Sequence, residues 1–167
     1  MNSRVLHLKH GLEVLVRPLK DGDIDTVLGL FDRLGNAAHQ HRVNGAKARL
    51  SEDEVWQLSR ADENHHALVA YVEGDPMPVA LARLVRDGQR AEVAFEVAEG
   101  HQGRGIGSGL TRELLADARA AGITEVTALV PSDNPAAVAL LRRVLGMFEI
   151  SFDGRDLQIS ARLPAET

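Results

Sequence analysis

Four glycines fall within seven residues, at Gly103, Gly105, Gly107 and Gly109, in the run Gln102-Gly103-Arg104-Gly105-Ile106-Gly107-Ser108-Gly109. A helical pattern follows, with Ile106, Leu110, Leu114 and Ala118 on one face. The first N–H groups of a helix have no intrahelical partner, and the helix dipole favours an anion there. Glycines let a phosphate approach the backbone closely. A tight strand-to-helix turn also uses glycine, but seldom four, because each one inside a helix costs roughly 1 kcal/mol. The run reads as a site for an anionic, phosphate-bearing group.

The spacing narrows the choice of anion. A Walker loop needs Lys followed by Ser or Thr after its last glycine, and Gly107 is followed directly by Ser108. The dinucleotide pattern G-x-G-x-x-G also fails. Counting from Gly103 and Gly105 places Ser108 at the third glycine, and counting from Gly105 and Gly107 places Leu110 there.

The loop needs elements to hold it. Leu12, Val14 and Val16 alternate with Glu13, Leu15 and Arg17, which predicts a first strand ending at Pro18. Asp21-Gly22-Asp23 opens a helix with Ile24, Val27, Leu28, Phe31 and Leu34 on one side. Residues 35–49 are polar and read as a loop. Ser51 with Glu54 three residues on is a capping-box pattern that starts a second helix. Strands are predicted over residues 67–73, 79–85 and 92–97, with Asp87-Gly88 as a hairpin turn. On the last of these Val93, Phe95 and Val97 share one face, and Glu92, Ala94 and Glu96 the other. A helix over residues 105–121 is closed by Gly122 and Ile123, and a strand spans residues 126–130. Asn134-Pro135 starts a last helix that Gly146 ends, and two strands follow. The order β-α-α-β-β-β-α-β-α-β-β predicts an α/β (α+β) fold, a mixed and mostly antiparallel sheet of about seven strands flanked by about four helices.

At 167 residues, 44% apolar and 26% charged, the chain suits one domain over residues 1–167 with its own core. The absence of cysteine excludes disulfides, thiolate metal sites and a thiol nucleophile. A net charge of −5 argues against general nucleic-acid binding. No apolar run is long enough to cross a bilayer, and residues 1–9 lack a signal-peptide core, so a cytoplasmic protein without a membrane partner is expected. His39, His41 and the pair His65-His66 have no carboxylate or cysteine completing a ligand spacing, and no metal is expected.

Gln102-Gly103-Arg104-Gly105-Ile106-Gly107 resembles the Q/R-x-x-G-x-G/A signature of the GNAT superfamily of N-acetyltransferases, and the predicted element order fits that fold. The resemblance implies acetyl-CoA as co-substrate. Its diphosphate would lie on the backbone of Gly103, Arg104, Gly105, Ile106, Gly107 and Ser108, beside Gln102. Its pantetheine would pair with the strand end near Val97, in a gap left where that strand splays from the one at residues 126–130. Asn134 matches an asparagine that contacts the pantetheine in the family, and is equally suited to cap a helix. Ala91-Glu92-Val93-Ala94-Phe95, the glycine run and Asp133-Asn134 together resemble the acetyltransferase domain of bacterial protein-lysine acetyltransferases.

Acetyl transfer to an amine needs the neutral amine. At pH 7 a lysine with a pKa near 10.4 is neutral in only about one part in two thousand, a cost of roughly 4.6 kcal/mol. A nearby base therefore helps. Glu92 is the first candidate, its pKa raised if its face is buried in the acceptor cleft, and Glu96 is the second. In the resembling group a glutamate matching Glu92 is the general base. The family's usual tyrosine acid, seven residues after the asparagine, is Leu141 here, and the sole tyrosine, Tyr71, is on another strand. The acceptor is a primary amine, on a protein lysine or a small molecule. A non-catalytic acyl-CoA-binding sensor is the alternative, and a homodimer is compatible with either.

Overall fold

The computed structural model describes residues 3–34 and 50–164. Eight strands form one sheet in the order β1-β2-β3-β4-β5-β6-β8-β7. They are β1 (Arg4–His7), β2 (Glu13–Pro18), β3 (His65–Val72), β4 (Ala80–Asp87), β5 (Arg90–Val97), β6 (Glu125–Pro131), β7 (Glu149–Asp153) and β8 (Asp156–Arg162). Among the described residues the α-helices are α1 (Ile24–Phe31), α2 (Glu52–Leu58), α3 (Ile106–Ala120) and α4 (Pro135–Leu145). All pairings are antiparallel except β5 with β6. The fold is the predicted mixed, mostly antiparallel sheet, with one strand more than expected.

That extra strand is β1. It has four residues and lies at the sheet edge, with Arg4 paired to Val16 and His7 to Glu13. Its anchor is remote in sequence. Arg4 reaches α3, where its Nη2 lies 3.0 Å from Asp117 Oδ2 and its Nη1 3.4 Å from Glu113 Oε1. His66 Nε2 on β3 lies 2.8 Å from the same Asp117 oxygen. Burial works to raise the Asp117 carboxyl, but the hydrogen bonds from His66 and Arg4 outweigh it and hold it below the usual carboxylate range. A depressed carboxyl stabilises the fold above its unfolded pKa of about 4, and that contribution is lost as pH falls through the folded value. Asp117→Asn should therefore destabilise by about 1–3 kcal/mol at pH 7, with the difference from wild type shrinking in acid. Urea midpoints at pH 7 and at about pH 3 would check this.

The sheet carries a core on each face. On one, α3 and α4 cover Val14, Val16, Leu68, Ala70, Ala82, Leu84, Val93, Val126, Ala128 and Ile159. On the other, α1 and α2 bury Val27, Leu30, Val55 and Leu58 against Ala67, Val69 and Leu81. The expected capping box holds α2: Ser51 Oγ accepts from the Glu54 N–H at 3.1 Å, and Glu54 Oε1 accepts from the Ser51 N–H at 3.0 Å. The end of α3 is also as predicted, with Gly122 at φ 85° and the Ile123 N–H returning to the Ala118 carbonyl at 3.0 Å.

Leu141 is fully buried in the first core, with Val138 and Leu145 packed beside it. A leucine holds that place because the position faces hydrocarbon. Leu141→Ala should cost about 2–5 kcal/mol by leaving a cavity, read as a fall in the urea midpoint with an unchanged slope.

Candidate active site

The site begins where the sheet divides. β5 stays registered with β4 from Asp87↔Arg90 to Ala80↔Val97. With β6 it pairs over only three positions, Arg90↔Glu125, Ala91↔Val126 and Glu92↔Thr127. Beyond these β6 continues on β8 as far as Pro131↔Asp156. Residues 93–97 and 128–131 therefore keep their outer partners and lose each other. A wedge opens in the sheet, narrow at Glu92 and wide towards Val97. β5 feeds the start of α3, and β6 feeds the start of α4.

The glycine run lies at the wide end. Gly103 and Gly105 have φ of 78° and 86°, a left-handed conformation that glycine adopts without strain. An added Cβ at either would meet nothing within 4 Å, so the space above them is open. Gly105 is the N-cap residue of α3, with no side chain capping it. The first intrahelical bond is that of the Gly109 N–H to the Gly105 carbonyl, at 2.9 Å. The N–H groups of Ile106, Gly107 and Ser108 thus belong to the free first turn. Gly107 serves a different purpose. A Cβ there would come within 2.9 Å of Leu140 and 3.1 Å of Val97, so this glycine lets α3 pack on α4 and β5. Gln102 fastens the loop, its Nε2 donating to the Val97 carbonyl at 3.1 Å. The Ile106 side chain is in the core, Arg104 is exposed, and the Ser108 hydroxyl accepts from Arg143 of α4 at 3.4 Å.

Asn134 caps α4, its Oδ1 accepting from the Ala137 N–H at 3.2 Å. Of the two uses expected for this side chain, the cap is present. Glu92 is exposed, on the face away from Ala91 and Val93, so the burial expected of it is absent. Its place is informative all the same, because Glu92 is the last residue of β5 paired to β6 and stands at the vertex of the wedge. Glu96 lies four residues on, on the same face, half-buried opposite Leu81. Tyr71 is engaged elsewhere: Arg17 Nη2 donates to its hydroxyl at 2.6 Å, and the same guanidinium sits over its ring. His65 and His66 are bonded to Asp62 and Asp117, and the hydrogen bond to His65, then the Asn64 amide, draw Asp62 down to about 2. His39 and His41 lie outside the described residues.

A model of the GNAT acetyltransferase family matches residues 36–147, more than half of the chain. The chain belongs to that family. Acetyltransferase Pat of Mycolicibacterium smegmatis is 32% identical over 135 residues, covering 77% of this chain. The chain spans only 40% of that relative's length. The solved GNAT domain of S. lividans PAT superposes with a TM-score of 0.86 at 25% identity, covering 96% of this chain and 97% of that one. A cAMP-binding acyltransferase from Mycobacterium smegmatis shares the fold at a TM-score of 0.69 and 23% identity, covering 98% of this chain and 48% of that one. In this GNAT domain the wedge between β5 and β6 opens beside the glycine run that leads into α3.

Three functional features went unseen in the sequence. The packing role of Gly107 depends on Leu140, which is 33 residues away. The Arg143–Ser108 bond joins the last turn of α4 to the first turn of α3. The third is His101, whose ring meets Arg33 beyond α1. None has a spacing pattern, because each is made by elements distant along the chain.

Proposed function

We propose that this GNAT domain transfers an acetyl group from acetyl-CoA to a primary amine, with a protein lysine as the acceptor. The observation that supports this best is the wedge between β5 and β6, opening onto a helix start with free amides. A diphosphate suits the amides of residues 103–108, and an extended pantetheine suits the unpaired edge of residues 93–97. The thioester would then point towards the vertex, where Glu92 stands. Lysine as acceptor rests on the resemblance of the Glu92 strand and glycine run to bacterial protein-lysine acetyltransferases.

In the reaction the amine lone pair attacks the thioester carbonyl carbon, the C–N bond forms and the C–S bond breaks. The amine proton passes to Glu92, directly or through a water, and the sulfur leaves as thiolate. A thiol of pKa about 8.5 leaves tolerably without full protonation, consistent with Leu141 at the family's tyrosine position. No metal is invoked, and one domain over residues 1–167 is sufficient.

The test is acetyl-CoA consumption against a panel of lysine peptides and small amines, with mass spectrometry of the products. Turnover on peptides above that on small amines supports the reading, and preference for a small amine would transfer it to that class. Tight coenzyme binding without turnover on any amine would favour a sensor.

A further inference from the structure

His101 lies in the loop joining β5 to α3, two residues before Gly103, and its N–H donates to the Ala98 carbonyl at 3.0 Å. Its Nε2 is 3.3 Å from Arg33 Nη2. A guanidinium offers only donors, so the nitrogen facing it must carry a lone pair. His101 is therefore neutral with its proton on Nδ1, and Nδ1 is buried without a hydrogen-bond partner among the described residues. Arg33 cannot easily withdraw. It is held by Asp75 at 2.8 Å and by the carbonyls of Met77 and Pro78 at 3.3 and 3.4 Å, all in the turn between β3 and β4.

The charged groups around the ring come from three places: Arg33 after α1, Arg104 in the same loop, and Asp75 in the β3–β4 turn. Burial first, then the two arginines, hold the imidazole below its ordinary value, and Asp75 offsets only part of this. Two negative charges delivered to this loop would reverse the balance. We propose that His101 makes coenzyme binding proton-linked: a diphosphate on the amides of residues 103–108 draws a proton from solvent onto the imidazole. The inference rests on the coenzyme site described above.

The sign follows from linkage. With the His101 pKa higher in the complex than in the free protein, affinity rises as pH falls through the liganded value and levels off below the free one. One proton gives at most about a tenfold change in Kd per pH unit. The experiment is calorimetry with coenzyme A lacking its 3′-phosphate, because a phosphomonoester itself titrates near pH 6. Titrations run between about pH 6 and about pH 8, in buffers of differing ionisation enthalpy. Wild type should take up protons on binding, with Kd falling about 3- to 10-fold over the range. His101→Gln should abolish both the uptake and the slope. Arg33→Met, which removes a cation from the ring, should move the uptake to higher pH. Equal uptake in wild type and His101→Gln, or a Kd independent of pH in wild type, would overturn the inference and leave the coenzyme site standing. No binding at any pH would overturn both.

Discussion

Glu92→Gln is expected to slow acetyl transfer at pH 7 by about 10²–10⁴-fold, the usual worth of a general base. The substitution keeps the shape of the side chain and removes its ability to take a proton. The loss should shrink at high pH, where more of the amine is neutral without help. Coenzyme affinity should stay close to wild type, because the vertex of the wedge and the amides of residues 103–108 lie at opposite ends of the free edge of β5. Single-turnover rates with the best amine, compared at pH 7 and about pH 10, would separate these effects. Equal rates for variant and wild type at pH 7 would remove Glu92 from the mechanism and leave Glu96 or a water chain as the base.

The second large effect is expected at Gly105. Gly105→Val places a branched side chain above the helix start, in space that holds no protein atom within 4 Å. The neighbouring N–H groups then cannot reach a diphosphate. Losing two charge-assisted hydrogen bonds, at about 1.5–3 kcal/mol each, weakens coenzyme binding by roughly 100-fold or more. The fold should survive, since the left-handed backbone at φ 86° costs a non-glycine residue about 1–2 kcal/mol. Calorimetry measures the binding and a urea midpoint the stability. Gly107 is the poorer choice, because a side chain there strikes Leu140 and Val97 and would weaken binding through misplaced helices. Wild-type affinity in Gly105→Val would remove the diphosphate from this loop.

The glycine run was legible because its composition works against its own helix, and only a ligand or a close contact accounts for that. The caps at Ser51, Asn134 and Gly122 were legible for a similar reason, since each is a local bond between neighbours. The wedge was expected only through family resemblance. Val93, Ala94 and Phe95 look like any paired strand, and nothing in them records that β6 has moved away. Period-two alternation placed Glu92 opposite Val93, but which face is covered depends on where α1 and α2 lie, and they leave Glu92 in solvent. β1 was missed because four residues give too short an alternation, and its anchor, Arg4 to Asp117, spans 113 residues.

A strand bonded on both edges at one end and on a single edge at the other should exchange its amide hydrogens at two speeds. In β5, residues 90–92 are held from both sides, whereas residues 93–97 lean on β4 alone. Successive groups of an antiparallel pair point alternately towards and away from the partner, so every second amide in that stretch faces the gap. Deuterium should enter those amides quickly and the intervening ones slowly, a contrast between neighbours that an ordinary core strand does not show. A thread-like ligand lying along the gap would slow the fast set, and the residues at which protection stops would mark how deep the ligand reaches.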